Sequence, residues 1–203
     1  ASIVNVATAI AALAAIRIAR QPADRNHPFG HHKVEYFSAV LEGALVIVAA
    51  VMILSEAYQA LMSPREIAAP WQGVAIAAVA TGLNAAWSWV LINRGRAWRS
   101  PALAADGFHL LTDVVTSVGV VAGGALVAVT GWKILDPLLA AAVAVHILFT
   151  GWRLTRESLS GLMDEAVDPR MLDEIRKVIS ANAEGAIEVH DLRTRVAASK
   201  TFI

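Results

Sequence analysis

The chain has 203 residues, of which 57% are hydrophobic and 17% are charged, and its mean hydropathy is +0.56. Soluble domains have about 45–50% apolar and about 25% charged residues, so this composition indicates a polytopic helical membrane protein and excludes a disordered chain. The absence of cysteine excludes disulfide scaffolds and thiolate zinc sites. The formal net charge of zero gives no reason to expect a nucleic-acid partner.

Five apolar blocks follow one another, and each has or approaches the roughly 20 residues that cross the hydrocarbon layer of a membrane. Pro101 opens the fourth block, in the first turn of a helix, where a missing N–H costs little. The first block starts at residue 1 without a basic flank, which argues against a signal peptide, and we expect the chain to be part of a longer protein. The five predicted spans are Ala1–Ala19, Val34–Met62, Trp71–Ile92, Pro101–Val129 and Ile134–Leu154.

Basic residues are concentrated in alternate loops. The first and third loops and the exit from the fifth span are rich in arginine and lysine, whereas the second and fourth loops carry only Arg65 and Lys133. By the positive-inside rule, loops one and three and the C-terminal segment are predicted to be cytoplasmic. We therefore predict an integral protein of the inner or plasma membrane, in contact with lipid.

Two groups of polar residues near the N-terminus are candidates for metal binding. Asn5, in the first span, offers a carbonyl oxygen, although a buried Asn also commonly forms hydrogen bonds between helices. In the first loop, Asp24, His27 and His31 have a spacing suited to chelation, and the alternative is a polar loop near anionic lipid headgroups. Glu42 is expected deep in the second span, either as a proton carrier or in a structural hydrogen bond.

The fourth span contains His109 and Asp113, which are four residues apart and share one helix face. An imidazole nitrogen and a carboxylate on one face provide half of a tetrahedral metal site. The alternative is a hydrogen-bonded pair that only joins helices. Asp106 lies on the same span.

The composition changes after about Ser160. Residues 171–181 have the apolar spacing of an amphipathic helix, residues 187–196 alternate like a strand, and residues 201–203 look like the start of a second strand. One helix and one or two strands cannot bury a core alone. We therefore predict a transmembrane domain over residues 1–160 and the beginning of an α+β cytoplasmic domain over residues 161–203.

Three stretches together resemble the cation diffusion facilitator family. QPADRNHPFGHHKVEYFSA is similar to the family's loop between its second and third spans, and ALAADGFHLLTDVVTS to its fifth span. SLSGLMDEAVDP, followed by EVHDLRTR, is similar to the exit into the family's cytoplasmic domain. The resemblance implies six spans in the full protein, of which five are present here, a ferredoxin-like cytoplasmic domain that continues beyond Ile203, and a homodimer.

The resemblance also implies the site residues. His109 and Asp113 match the half of the family's membrane metal site that its fifth span carries. Asn5 and position 1 match the half that its second span carries, but Ala1 has no donor atom where the family usually has an acidic residue or His. His190 matches one ligand of a cytoplasmic regulatory zinc site, and Lys33 and Asp164 match a charge pair that joins the first loop to the cytoplasmic domain. The loop ligands match one by one: Asp24, His27 and His31.

The implied function is proton-coupled efflux of a divalent transition-metal cation from the cytoplasm, by a transporter and not an enzyme. The imidazole of His109 favours zinc, with iron, cadmium or cobalt as alternatives, over manganese. Ala1 leaves open a non-transporting metal-sensing or scaffold subunit of the same fold. A membrane metalloenzyme is disfavoured because the sequence has no dedicated catalytic base motif.

Overall fold

Five helices form at the five apolar blocks in the computed structural model, which describes residues 2–62, 71–185 and 190–203. Four of them, α2 to α5, are long and apolar enough to cross a membrane. The apolar part of α1 within the described chain, Asn5–Ala19, is shorter, so a crossing by the first block stays a prediction. The helices are α1 (Ser2–Ala19), α2 (Val34–Met62), α3 (Trp71–Ala97), α4 (Pro101–Thr130) and α5 (Leu135–Leu162).

The helices pack most extensively as two pairs, α2 with α5 and α3 with α4, and α4 also contacts α1, α2 and α5. Small residues allow these close approaches. A Cβ added to Gly43 of α2 would collide with the side chain of Thr155 on α5, and one added to Gly107 of α4 would lie 2.8 Å from a side-chain atom of Ile92 on α3. Because α4 packs against α1, α2, α3 and α5, its side chains can form a site together with residues of those helices.

The sequence marks both ends of α4. Ser100 is the N-cap, and its hydroxyl accepts a hydrogen bond from the Leu103 N–H, while Pro101 occupies the first turn. The helix ends where Gly131 adopts a left-handed φ of 73° and its N–H donates to the carbonyl of Val127. The predicted fourth span therefore agrees with α4 to within one residue.

The C-terminal segment contains α6 (Pro169–Asn182) and a two-stranded antiparallel sheet of β1 (Arg195–Ala197) and β2 (Lys200–Phe202). Asp168 caps α6 by accepting hydrogen bonds from the Arg170 and Met171 N–H groups. The predicted amphipathic helix and second strand are confirmed. These elements do not amount to a ferredoxin-like domain within the described part of the chain.

The strand predicted over residues 187–196 is wrong for most of its described part. Residues 190–194 are not in a strand, and residues 187–189 lie outside the described residues. Asp191 has a φ of 56°, which is incompatible with an extended strand, and its carboxylate accepts a hydrogen bond from Arg193 Nε at 3.0 Å. Alternation of apolar and polar side chains does not reveal this local turn.

Candidate metal centres

The membrane candidate lies between α1 and α4, where Asn5 contacts both residues of the fourth-span pair. Asn5 Nδ2 donates to Asp113 Oδ2 at 2.7 Å, and Asn5 Oδ1 lies 3.1 Å from His109 Nε2. His109 is buried, and Asp113 is half-buried. The helical spacing of His109 and Asp113 places both side chains toward the same amide of α1.

These atoms suit a small divalent cation. Two ligand atoms bound to a tetrahedral zinc ion at 2.0–2.1 Å lie about 3.3 Å apart. Asn5 Oδ1 and His109 Nε2 are already separated by 3.1 Å, so little movement is needed for both to bind one ion. The nitrogen of the same amide donates to Asp113 and orients that carboxylate. Ala1, the remaining position of the implied half-site, lies outside the described residues.

Glu42 reaches the same centre from α2. Its side chain is only 1% exposed, and Oε2 lies 3.9 Å from Nδ1 of His109. Neither of its carboxylate oxygens has a hydrogen-bond partner among the residues that the structure describes, so the structural hydrogen bond considered for Glu42 is not found. The sequence singled out Glu42 as an acidic residue in an apolar span, but not as a neighbour of His109.

The loop candidate consists of Asp24, His27 and His31, which each place a ligand atom within 4.8 Å of the others. Asp24 Oδ1 lies 3.2 Å from His27 Nδ1, and Asp24 Oδ2 lies 3.5 Å from His31 Nε2. Gly30, with a φ of 83°, allows the chain to turn between the two histidines. The loop candidate is the only cluster of three or more His or acidic side chains with metal-ligand spacing within residues 2–62, 71–185 and 190–203.

The loop backbone prepares Asp24 for a cation. The N–H of His27 donates to the Asp24 carboxylate at 2.6 Å, and the N–H of Asn26 donates to it at 2.8 Å. These hydrogen bonds, that of His27 first, hold the pKa of Asp24 below its ordinary value. The carboxylate is therefore ionised at neutral pH and needs no deprotonation to bind a metal.

A charged junction joins this loop to the segment after α5. Lys33 Nζ lies 3.0 Å from Asp164 Oδ1 and also donates to the carbonyl of Leu162. The hydrogen bond from Lys33 lowers the pKa of Asp164. Arg195 of β1 pairs with the same carboxylate oxygen at 3.2 Å. The predicted contact between Lys33 and Asp164 is thus present within one chain.

The guanidinium of Arg195 also packs against two aromatic rings. Its Cζ lies 4.3 Å from the ring centre of Phe29 in the first loop and 4.8 Å from that of Phe202 in β2. The Ala198 N–H donates to the Tyr36 hydroxyl at 3.1 Å, which fixes the turn of the hairpin to the start of α2. We call this set of contacts the loop–hairpin junction.

His190, the remaining predicted ligand, is exposed on the segment before β1. It belongs to no metal-like cluster within the described chain. Its role in a regulatory zinc site stays a prediction.

Comparison with known proteins agrees with the sequence motifs. Residues 1–163 match the family described as the cation efflux transmembrane domain. The chain is 46% identical over 202 residues to an uncharacterized transporter of Synechocystis sp., and the matched region covers 100% of this chain and 65% of that protein. It is 31% identical to the cation-efflux pump FieF of Serratia proteamaculans, over 100% of this chain and 67% of that pump. It is 27% identical to the zinc transporter ZitB of Yersinia pestis, over 88% of this chain and 57% of that transporter.

The chain thus spans about two thirds or less of the length of these relatives. Four helices suited to crossing a membrane and the family match identify an integral membrane protein. The match covers every helix from α1 to α5. The chain therefore belongs to the cation efflux family, the cation diffusion facilitators, whose members are transporters and not enzymes.

Proposed function

We propose that this protein exports a divalent transition-metal cation, with zinc as the first choice, from the cytoplasm in exchange for protons. The observation that carries the proposal is the meeting of Asn5 with His109 and Asp113 between α1 and α4. Ionisable side chains at membrane depth are costly to bury and commonly mark an ion pathway. The family membership and the relatives named as cation-efflux pump and zinc transporter support the same activity.

The ligand chemistry supports coupling to protons. A histidine nitrogen binds a metal only without its proton, and a carboxylate binds best when ionised, so metal and protons compete for His109 and Asp113. When the site faces the cytoplasm, the metal displaces protons. When it faces the other side, protons displace the metal. The proton gradient then drives export without nucleotide.

The arrangement of the loops supports the proposed orientation. The hydroxyl of Ser100, after α3, donates to Glu35 at the start of α2, and Lys33 of loop one contacts Asp164 after α5. Loops one and three and the segment after α5 therefore lie at one end of the helices. This is the end rich in basic residues, which favours the cytoplasmic side. The loop cluster, Asp24 with His27 and His31, would receive the cation at that entrance.

Zinc uptake into vesicles with an imposed pH gradient tests the proposal. We expect His109→Ala to abolish transport and His27→Ala to reduce it, because only His109 lies on the membrane path. Uptake that persists unchanged when the pH gradient is collapsed would refute proton exchange. Equal loss in the two variants would refute the ranking of the sites.

A non-transporting metal-sensing or scaffold subunit is the alternative, and Ala1 is the feature that favours it, since alanine provides no ligand. It predicts zinc binding without flux at any pH gradient. The homodimer expected from the resemblance remains part of the proposal, and cross-linking in native membranes tests it.

A further inference from the structure

Two unpartnered polar groups face each other beside the membrane candidate site. The carboxylate oxygens of Glu42 and Nδ1 of His109 are buried and have no hydrogen-bond partner within the described chain. The nearest approach between them is 3.9 Å, from Glu42 Oε2 to His109 Nδ1. Buried polar groups without partners are rare because each unmade hydrogen bond costs free energy. The two groups therefore require an explanation that includes both.

The two edges of the His109 ring face different helices. Nε2 faces Asn5 Oδ1 on α1, and Nδ1 faces Glu42 on α2. A cation shared with Asn5 and Asp113 binds at Nε2. Glu42 lies beside the opposite ring nitrogen, so it is poorly placed to be a ligand of that same ion.

A histidine that binds a metal through one ring nitrogen usually donates the N–H of the other to a carboxylate, a carbonyl or water. That hydrogen bond selects the tautomer and fixes the ring orientation. The separation of 3.9 Å exceeds a hydrogen bond by about 1 Å, so a relative shift of that size would complete the hydrogen bond. Hydrogen bonds at functional sites are often long before the ligand binds and shorten in the complex.

We propose that Glu42 is a positioning residue for His109, which accepts the Nδ1–H hydrogen bond and so presents the Nε2 lone pair to the cation. The inference deepens the proposed function and rests on it. It adds α2 to a site that the ligands alone assign to α1 and α4. It also gives a role to a buried acidic residue that the ligand set does not use.

The test is zinc binding by isothermal titration calorimetry of the full-length protein, with His27→Ala and His31→Ala as background to remove the loop ligands. Glu42→Leu removes the acceptor at similar size, whereas Glu42→Gln keeps an acceptor oxygen and removes the charge. Ser38→Ala is the matched control, since its buried hydroxyl lies one turn away on α2 and has no partner in the described part of the chain.

We expect Glu42→Leu to weaken zinc binding by about 10- to 100-fold, the range seen when such histidine partners are removed. Glu42→Gln should recover binding to within about threefold of the parent, and Ser38→Ala should leave it unchanged. In vesicles, Glu42→Leu should raise the KM for zinc more than it lowers the maximal rate. If Glu42→Leu does not yield folded protein, Glu42→Met replaces it, and the rescue by Glu42→Gln is read against that variant.

Normal zinc affinity in the folded apolar variant would overturn the role of Glu42. So would equal losses in the Gln variant and the apolar variant, because the hydrogen-bond acceptor would then be irrelevant. By contrast, parent protein that binds zinc but shows no flux would count against the proposed transport alone. The two failures are therefore distinguishable.

Discussion

The amide of Asn5 gives the sharpest test of the membrane site, because it contacts both proposed partners on α4. Asn5→Leu keeps the branched shape of the side chain and removes the 2.7 Å hydrogen bond to Asp113 and the oxygen 3.1 Å from His109 Nε2. A hydrogen bond to a charged group contributes about 1.5–3 kcal/mol. We expect zinc affinity to fall by about 10- to 100-fold, which corresponds to about 1.4–2.7 kcal/mol.

Asn5→Asp should have the opposite effect. The new carboxylate keeps a ligand oxygen but lies beside Asp113, and two unit charges 4 Å apart repel by about 4 kcal/mol at an effective dielectric constant of 20. A divalent cation relieves this repulsion fully, whereas a proton in the empty site relieves part of it. We therefore expect zinc affinity to rise by at least about tenfold at pH 8 and by less at pH 6, where protons compete.

Zinc titration in the background without loop ligands measures both changes. Val6→Ala is the matched control, because Val6 is exposed on the same helix. If Asn5→Asp binds zinc no more tightly than the parent and Asn5→Leu no more weakly, then Asn5 does not face the cation. The placement of α1 against α4 would then have no part in metal binding.

Three further changes test other parts of the molecule. His109→Asp creates an all-oxygen site, which suits Mn²⁺, so the metal preference in competitive uptake should shift from zinc toward manganese. An unchanged metal preference would show that His109 does not set selectivity. Asp164→Asn should lower the free energy of unfolding by about 1 kcal/mol or less, because the pair with Lys33 is partly exposed. Since Lys33 lowers the pKa of Asp164 below 3.8, this difference should be present above about pH 4 and lost as the pH falls through the lowered pKa; persistence at pH 2 would contradict it. Gly43→Val should destabilise the protein by about 1–3 kcal/mol in thermal unfolding, because the new side chain collides with α5. An added Cβ at Gly82 meets nothing within 4 Å, so an equal loss in Gly82→Ala would refute that reason.

The helical part of the fold follows from the sequence because its signals are local. Apolar length defines α2 to α5, and Ser100, Pro101 and Gly131 mark the ends of α4. The shared face of His109 and Asp113 follows from helical geometry alone. The strand predicted over residues 187–196 is wrong at residues 190–194, because the left-handed conformation of Asp191 interrupts the alternating pattern.

The relation between Glu42 and His109 was not predictable from the sequence. It depends on how α2 packs against α4, and these two helices are separated in the sequence by α3. Spacing along one helix cannot reveal a contact between two helices. The acidic character of Glu42 in an apolar span was the only available signal.

The loop–hairpin junction has a mechanical consequence. An ion pair alone acts as a pivot, about which the attached element is free to turn. Arg195 is held by Asp164 and also by the faces of Phe29 and Phe202, and the hairpin turn is tied separately to Tyr36. Contacts at separate points restrain rotation as well as translation, so we expect the hairpin to keep its orientation relative to the first loop and the start of α2.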